Sequence, residues 1–252
     1  MPKIFKSIRF KYIFQNKIKK YVFYAIGEII LVVIGILIAL KINNWNTPKV
    51  KKQEEIEIYK NIKDQISQNL EEIKVVKNKN EFYGNQYEFA NHLISSKNFK
   101  NADTLAIMAM NLSQYSDFNG NGNVFETLVN SGDFKLIENT EIQNKLQKLQ
   151  STYSYMNKLE DIHWEIIMKE LSPELRGVIN YSNLQIVKPD KLYSVELQNI
   201  FIESIFLTKG KDAVYNLALT EINNLTNLID NELKKYPANK IIRHVESLLR
   251  WL

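Results

Sequence analysis

Cysteine is absent from the 252 residues. No disulfide framework, zinc–thiolate site or thiol nucleophile can be built from this chain, and the absence fits either side of a membrane. Proline (five) and glycine (eight) are scarce, which removes most helix breakers and favours long helices. Histidine occurs only at His92, His163 and His244. Acid is nearly missing from the first 52 residues, where eleven Lys and Arg face the single Glu28, a balance of +10. Residues 53–252 carry 22 basic and 27 acidic residues, a balance of −5. The positive charge therefore lies outside the region that would fold, which argues against nucleic acid as a partner. Chemical motifs are equally sparse. Asn119–Asn123 holds two glycines but neither the lysine nor the preceding strand of a phosphate loop, and no H-E-x-x-H or G-x-S-x-G occurs. Glu160-x-x-His163 has the spacing of a di-iron bundle ligand pair, which requires a second copy and two further carboxylates. The expectation is a non-enzyme with no catalytic, cofactor or metal residues. A carboxylate pair hidden among 28 acids stays open.

What the chain does have is one long apolar run. Val22 to Leu40 reads VFYAIGEIILVVIGILIAL, with Glu28 its only charge. At about 1.5 Å per residue this covers a bilayer core of about 30 Å. It is longer than the apolar stretch of a signal peptide and lacks a small-residue cleavage site at its end. The residues predict a retained transmembrane anchor over 22–42. A basic cytoplasmic segment (1–21) precedes it, a linker (43–52) follows, and an extracytoplasmic helical domain spans 53–252. Seven Lys and Arg precede the run, against Lys41, Lys49, Lys51 and Lys52 after it. That bias places the N-terminus in the cytoplasm and the C-terminal domain outside the inner (cytoplasmic) membrane. Arg9, Lys17, Lys19, Lys20 and Trp45 are the expected interface residues. Ile4, Phe5, Ile8 and Tyr12 share a helical face, so a short interfacial helix and a plain basic tail both fit residues 1–21.

A charge inside an apolar span is costly and usually faces a partner. At 100° per residue Glu28, Val32, Gly35 and Ala39 fall on one stripe, and Gly35-x-x-x-Ala39 is a small-xxx-small pair that lets helices approach closely. The stripe is expected to contact a second transmembrane helix, in a homodimer or with another membrane protein. The alternative is a Glu28 that reaches back to the cytoplasmic interface.

The stretch from Tyr24 to Asn46, YAIGEIILVVIGILIALKINNWN, resembles the anchor of a family of uncharacterised bacterial single-pass membrane proteins, in which an AIGEI…VIGILIAL-x-INNWN segment follows a basic N-terminus. Phe125 to Asn139, FETLVNSGDFKLIEN, resembles that family's second conserved segment, and the order of the two also fits. The resemblance implies a membrane location and a helical outer domain. It transfers no catalytic residue, because the family has no assigned role.

In the outer domain, Ile56, Tyr59, Ile62, Ile66, Leu70, Ile73 and Val76 recur at helical spacing. Phe82, Tyr83, Tyr87, Ala90, Leu93 and Ile94 follow, giving one helix or two over 52–97. Pro48 is expected to interrupt any helix leaving the membrane. Asp103 is expected to cap a helix at Thr104–Asn111. Val124–Asn130 reads as a helix stopped by Ser131-Gly132, and Phe125, Leu128, Ser131 and Gly132 make a candidate surface or a tight connection. Asn139 or Thr140 caps a helix over 141–171 that Ser172-Pro173 ends, with irregular chain over 172–193. Helices at 196–208 and 212–235 form an antiparallel pair across Lys209-Gly210-Lys211. Ala238–Leu252 either docks on the bundle or serves as a docking peptide. The fold class is all-α: one transmembrane helix followed by a bundle of about five to seven helices. The expected function is a membrane-anchored, non-catalytic interaction or scaffold module of the cell envelope. The alternatives are an extracytoplasmic sensor of unknown ligand acting through a partner, and an envelope hydrolase. The lipid bilayer is a partner on any reading.

Overall fold

A computed structural model describes residues 18–120 and 124–236. The chain divides into two compact units, Met1–Glu54 and Glu55–Leu252. Among the described residues it is all-α apart from one minimal hairpin. Helix α1 spans Ile18–Ser95, α2 Ala102–Asn111, α3 Val124–Ser131 and α4 Thr140–Ile166. A π turn at Ile167–Leu171 leads into α5, Ser172–Arg176. Strands β1 (Ile179–Asn180) and β2 (Gln185–Ile186) pair antiparallel, and α6 spans Val195–Lys234.

Three expected breaks are not breaks. Pro48 lies inside α1, so residues 43–52 are helical rather than a linker, and 52–95 is one helix. Pro48 denies the Asn44 carbonyl its usual N–H; Thr47 Oγ1 donates to the neighbouring Asn43 carbonyl at 2.8 Å. Ser172-Pro173 does not end the helical path either. Ser172 N–H reaches back five residues to Ile167 O, and Pro173 then occupies the first turn of α5, where no N–H is needed. Lys209-Gly210-Lys211 is the third case: the predicted helical pair is the single 40-residue α6. An interior glycine costs only about 1 kcal/mol relative to alanine, too little to stop a helix that buries Phe201 and Ile205 on one side of it and Val214 and Tyr215 on the other.

Other boundaries follow local chemistry. Asn139 Oδ1 accepts from the N–H groups of Glu141 and Ile142 and caps α4. Asn101, not Asp103, holds the N-cap of α2. Gly132 has φ +83, the left-handed conformation that stops α3 at little steric cost. The C-terminal segment Ala238–Leu252 lies outside the described residues.

Within the second unit, α6 runs antiparallel to α1. As α1 advances from Lys63 through Lys77 to Asn91, its partners on α6 retreat from Asp230 through Asp212 to Gln198. Helix α4 is also antiparallel to α6, with Thr152 bonded to Glu221 and Glu160 to Tyr215. Gly84 makes the α1–α6 approach close: a Cβ there would sit 3.3 Å from Thr208 Oγ1.

The helices enclose two apolar cores. The first joins Ile62, Ile66 and Ile73 of α1 to Ile142, Leu149 and Met156 of α4 and to Ile222, Leu225 and Ile229 of α6. The second joins Tyr87, Ala90 and Leu93 of α1 to Leu105 and Ala109 of α2, to Leu171 and Leu175, and to Leu197 and Phe201 of α6. Ile222 is wholly buried, whereas Leu217 on the same helix is 44% exposed. Ile222→Ala is expected to lower the unfolding free energy of the second unit by about 2–5 kcal/mol, and Leu217→Ala by under about 1 kcal/mol. Urea titration followed by circular dichroism measures both, and a larger loss at Leu217 would contradict this assignment of faces.

Candidate functional site

Two arrangements stand out, one in each unit. In the first, no residue in the most apolar part of α1 is fully buried. Its most apolar window has a mean hydropathy of 2.7 and none of it is buried; Phe23 is 77% exposed and Leu31 60%. By length and composition the helix is a candidate membrane span. Glu28 is half-buried, while Val32, Gly35 and Ala39 are exposed, and a Cβ added at Gly35 would meet nothing within 4 Å. Val32, Gly35 and Ala39 of the stripe read from the sequence thus lie on an open part of the helix, and Glu28 does not. Trp45 is half-exposed, with Lys49 Nζ 3.4 Å from its ring centroid, a cation–π contact. Arg9 and Lys17 lie outside the described residues, as do the side chains of Lys19 and Lys20.

The second arrangement is a polar layer between the two cores. Asn80 on α1, Ser116 in the loop after α2, Glu160 and His163 on α4, and Thr208 and Lys211 on α6 are all buried. Asn80 Nδ2 donates to the Thr208 carbonyl at 2.8 Å, which fixes its amide orientation and turns Oδ1 toward Ser116 Oγ at 3.2 Å. Ser116 Oγ lies 2.9 Å from the Tyr215 hydroxyl. That hydroxyl lies 2.7 Å from Glu160 Oε1, which also accepts from Phe118 N–H at 3.1 Å. The Tyr215 hydroxyl donates to Glu160 Oε1, so the single Ser116 proton is shared between the Tyr215 oxygen and Asn80 Oδ1.

Burial pushes the Glu160 carboxyl up to about 7, against the opposing pull of Tyr215, the Phe118 amide and Lys211. Burial also holds Lys211 down at about 8 and His163 at about 3, Lys211 lowering the latter further. Neutral His163 then accepts at Nδ1 from Lys211 Nζ, 3.1 Å away, and Lys211 also donates to the Ser116 carbonyl at 3.3 Å. The histidine proton therefore sits on Nε2. Glu160 Oε2 and His163 Nε2 are buried with no hydrogen-bond partner among the described residues. Glu160 also lines a cavity of about 250 Å³ together with Tyr115, Asp117 and Asp161.

Of the residues singled out from sequence, Glu160 and His163 do come together, in hydrogen bonding with α6. Among the described residues no group of three His, Cys, Asp or Glu is placed to hold a metal ion. The α3 surface is only partly a surface: Ser131 and Gly132 are exposed, Phe125 is half-buried against Phe134 with ring centroids 5.3 Å apart, and Leu128 points into the core. Leu128 is therefore a packing residue, as its place in the amphipathic α3 requires. Sequence reasoning missed Asn80, Ser116, Lys211 and Tyr215. A signal existed for two of them: Asn80 and Lys211 are polar residues at core-phase positions, between Val76 and Tyr87 and between Thr208 and Val214.

One protein-family model, described only as a family of unknown function, matches residues 28–209. No curated protein and no solved structure matches the chain.

The raised Glu160 pKa has a definite sign. Between the ordinary carboxyl value of 4.5 and about 7, the folded chain keeps a proton that the unfolded chain has lost. Stability contributed by this group is full below that window and falls as pH rises through it. Glu160→Gln lacks this loss, so its stability relative to the parent is expected to rise by on the order of 1–3 kcal/mol from pH 4.5 to 8. Urea unfolding at a series of pH values measures it; a difference independent of pH would contradict the assignment.

Proposed function

We propose that this chain, which belongs to that family, DUF6090, is a membrane-anchored, non-catalytic interaction or scaffold module of the bacterial cell envelope. The observation that carries the reading is the exposed apolar stretch of α1. The same chain buries Ile66, Ile142 and Ile222 completely, yet leaves Phe23, Ile29, Leu31 and Leu37 largely uncovered. So long an apolar surface around a whole helix needs lipid or another apolar helix to cover it. The excess of Lys and Arg before the span supports a cytoplasmic N-terminus and an outer helical domain. Glu28, Val32, Gly35 and Ala39 are the proposed contact with a partner helix, in a homodimer or another membrane protein. Lys211 and His163 are 0% and 1% exposed. Sealed from solvent, they are poor candidates for groups that meet a substrate, which supports a non-catalytic role.

A second reading, a sensor that signals through a partner membrane protein, draws on one specific observation. A surface cleft of about 250 Å³, lined mainly by polar residues, opens beside Glu160.

Two measurements test the favoured reading. The chain is expected to stay with membranes through alkaline carbonate washing, and a reporter fused after Leu252 to be active only outside the cytoplasm. Release by carbonate, or reporter activity confined to the cytoplasm, would overturn it. Glu28→Leu is expected to leave insertion intact and to reduce crosslinking to the partner helix severalfold, and unchanged crosslinking would remove the stripe from the account.

A further inference from the structure

Asn119 precedes Gly120 in the stretch after α2, where residues 114–120 form neither helix nor strand. Asn119 is exposed and lines two surface clefts, so water reaches it. Gly120 has φ +59, the left-handed conformation that a residue with a side chain resists. A Cβ there would also lie 3.2 Å from the Phe118 ring. The turn therefore requires glycine, and glycine leaves its own amide nitrogen unshielded. Among the described residues no hydrogen bond holds that N–H. Asn119 is bonded through its backbone N–H, to Glu72 Oε1 at 3.2 Å, and its side-chain amide is unheld.

We propose that Asn119 is a site of covalent self-modification, in which the Gly120 amide nitrogen closes on the Asn119 side chain and water then converts it to aspartate or isoaspartate. In the first step the Gly120 nitrogen gives its proton to hydroxide and attacks Asn119 Cγ. The N–Cγ bond forms, the Cγ–Nδ2 bond breaks, and ammonia leaves after taking a proton from water. The product is a cyclic imide. Water then adds to one of its carbonyls. Breaking the N–Cγ bond gives aspartate; breaking the original peptide bond gives isoaspartate, with the chain running through the side chain. The net change is uptake of water and loss of ammonia, with no oxidant or reductant.

Other asparagines lack this combination. Asn130 precedes the small Ser131, but both lie in α3, and helical backbone geometry keeps the amide nitrogen from the side chain. Asn183 is exposed in the hairpin turn, but Leu184 follows it and its Oδ1 is held by the Gln185 N–H at 3.0 Å. At Asn119 the product carries a consequence for the fold. It adds a carboxylate near Glu72, Asp117 and Asp161, and like charges repel. Isoaspartate also lengthens the main chain next to Phe118, which is 3% exposed and donates its N–H to Glu160 Oε1. Modification therefore loosens the loop from the polar layer, and the second unit loses stability as the chain ages.

The test is incubation of the full chain in detergent micelles, at mildly alkaline pH in heavy-oxygen water, followed by peptide mapping with tandem mass spectrometry. The expected result is replacement of the Asn119 amide by a carboxyl carrying heavy oxygen, as aspartate and isoaspartate together, at a rate that rises with pH. Asn130 and Asn183 should stay intact over the same period. Asn119→Gln, which would have to close a larger ring, should show no change at that position. The chain unfolded in urea sets the reference, and native Asn119 should react within severalfold of it. Loss at Asn121 with Asn119 intact, aspartate without isoaspartate, or a native rate an order of magnitude below the unfolded one would overturn the proposal. Aged chain should also unfold at lower urea than fresh chain, in proportion to the fraction modified at Asn119, and an unchanged midpoint would contradict the loosening.

Discussion

The hydrogen-bonded chain from Glu160 through Tyr215 and Ser116 to Asn80 is the constraint on which the second unit depends. It ties α4, α6, the loop after α2 and α1 together at one level, with an apolar core on either side. Apolar packing alone tolerates sliding of one helix past another, since leucines and isoleucines one turn apart are near equivalents. A buried polar layer does not, because a slip of one turn would strand Glu160, Asn80 and Lys211 without partners. The layer also accounts for the persistence of α6 through Gly210: Lys211 must face inward, in phase with Thr208 and Val214, to reach His163 and Ser116.

Burial pushes the Glu160 carboxyl up to about 7, while the Tyr215 hydroxyl and the Phe118 amide donate to its Oε1 and pull the other way. The first unit poses the opposite problem. There the apolar stretch of a helix is left largely exposed, which makes it a candidate membrane span by length and composition.

Much of this architecture was legible from residues. The apolar run at 22–40, the amphipathic phase of Ile62–Ile66–Ile73, the Asn139 cap and the left-handed stop at Gly132 each express a local rule in local sequence. Breaks were over-read. Pro48, Ser172-Pro173 and Lys209-Gly210-Lys211 have breaker composition, but a π turn carries the chain past the second and continued burial outweighs a cost of about 1 kcal/mol at the third; Pro48 stays helical in an exposed stretch where neither applies. The candidate site was harder. Glu160-x-x-His163 was visible as spacing, yet its meaning depends on Lys211 and Tyr215, about fifty residues further along. Polar residues in core phase were the available clue, and pairing them requires knowing that α4 and α6 run antiparallel.

A double-mutant cycle with Glu160→Gln and Tyr215→Phe, read by urea unfolding at pH 6, tests the central claim most directly. If the polar layer is one connected network, the two substitutions should couple by at least about 1 kcal/mol. Additivity within about 0.3–0.5 kcal/mol would mean that the two side chains act independently, and the layer would not be the constraint that sets this fold.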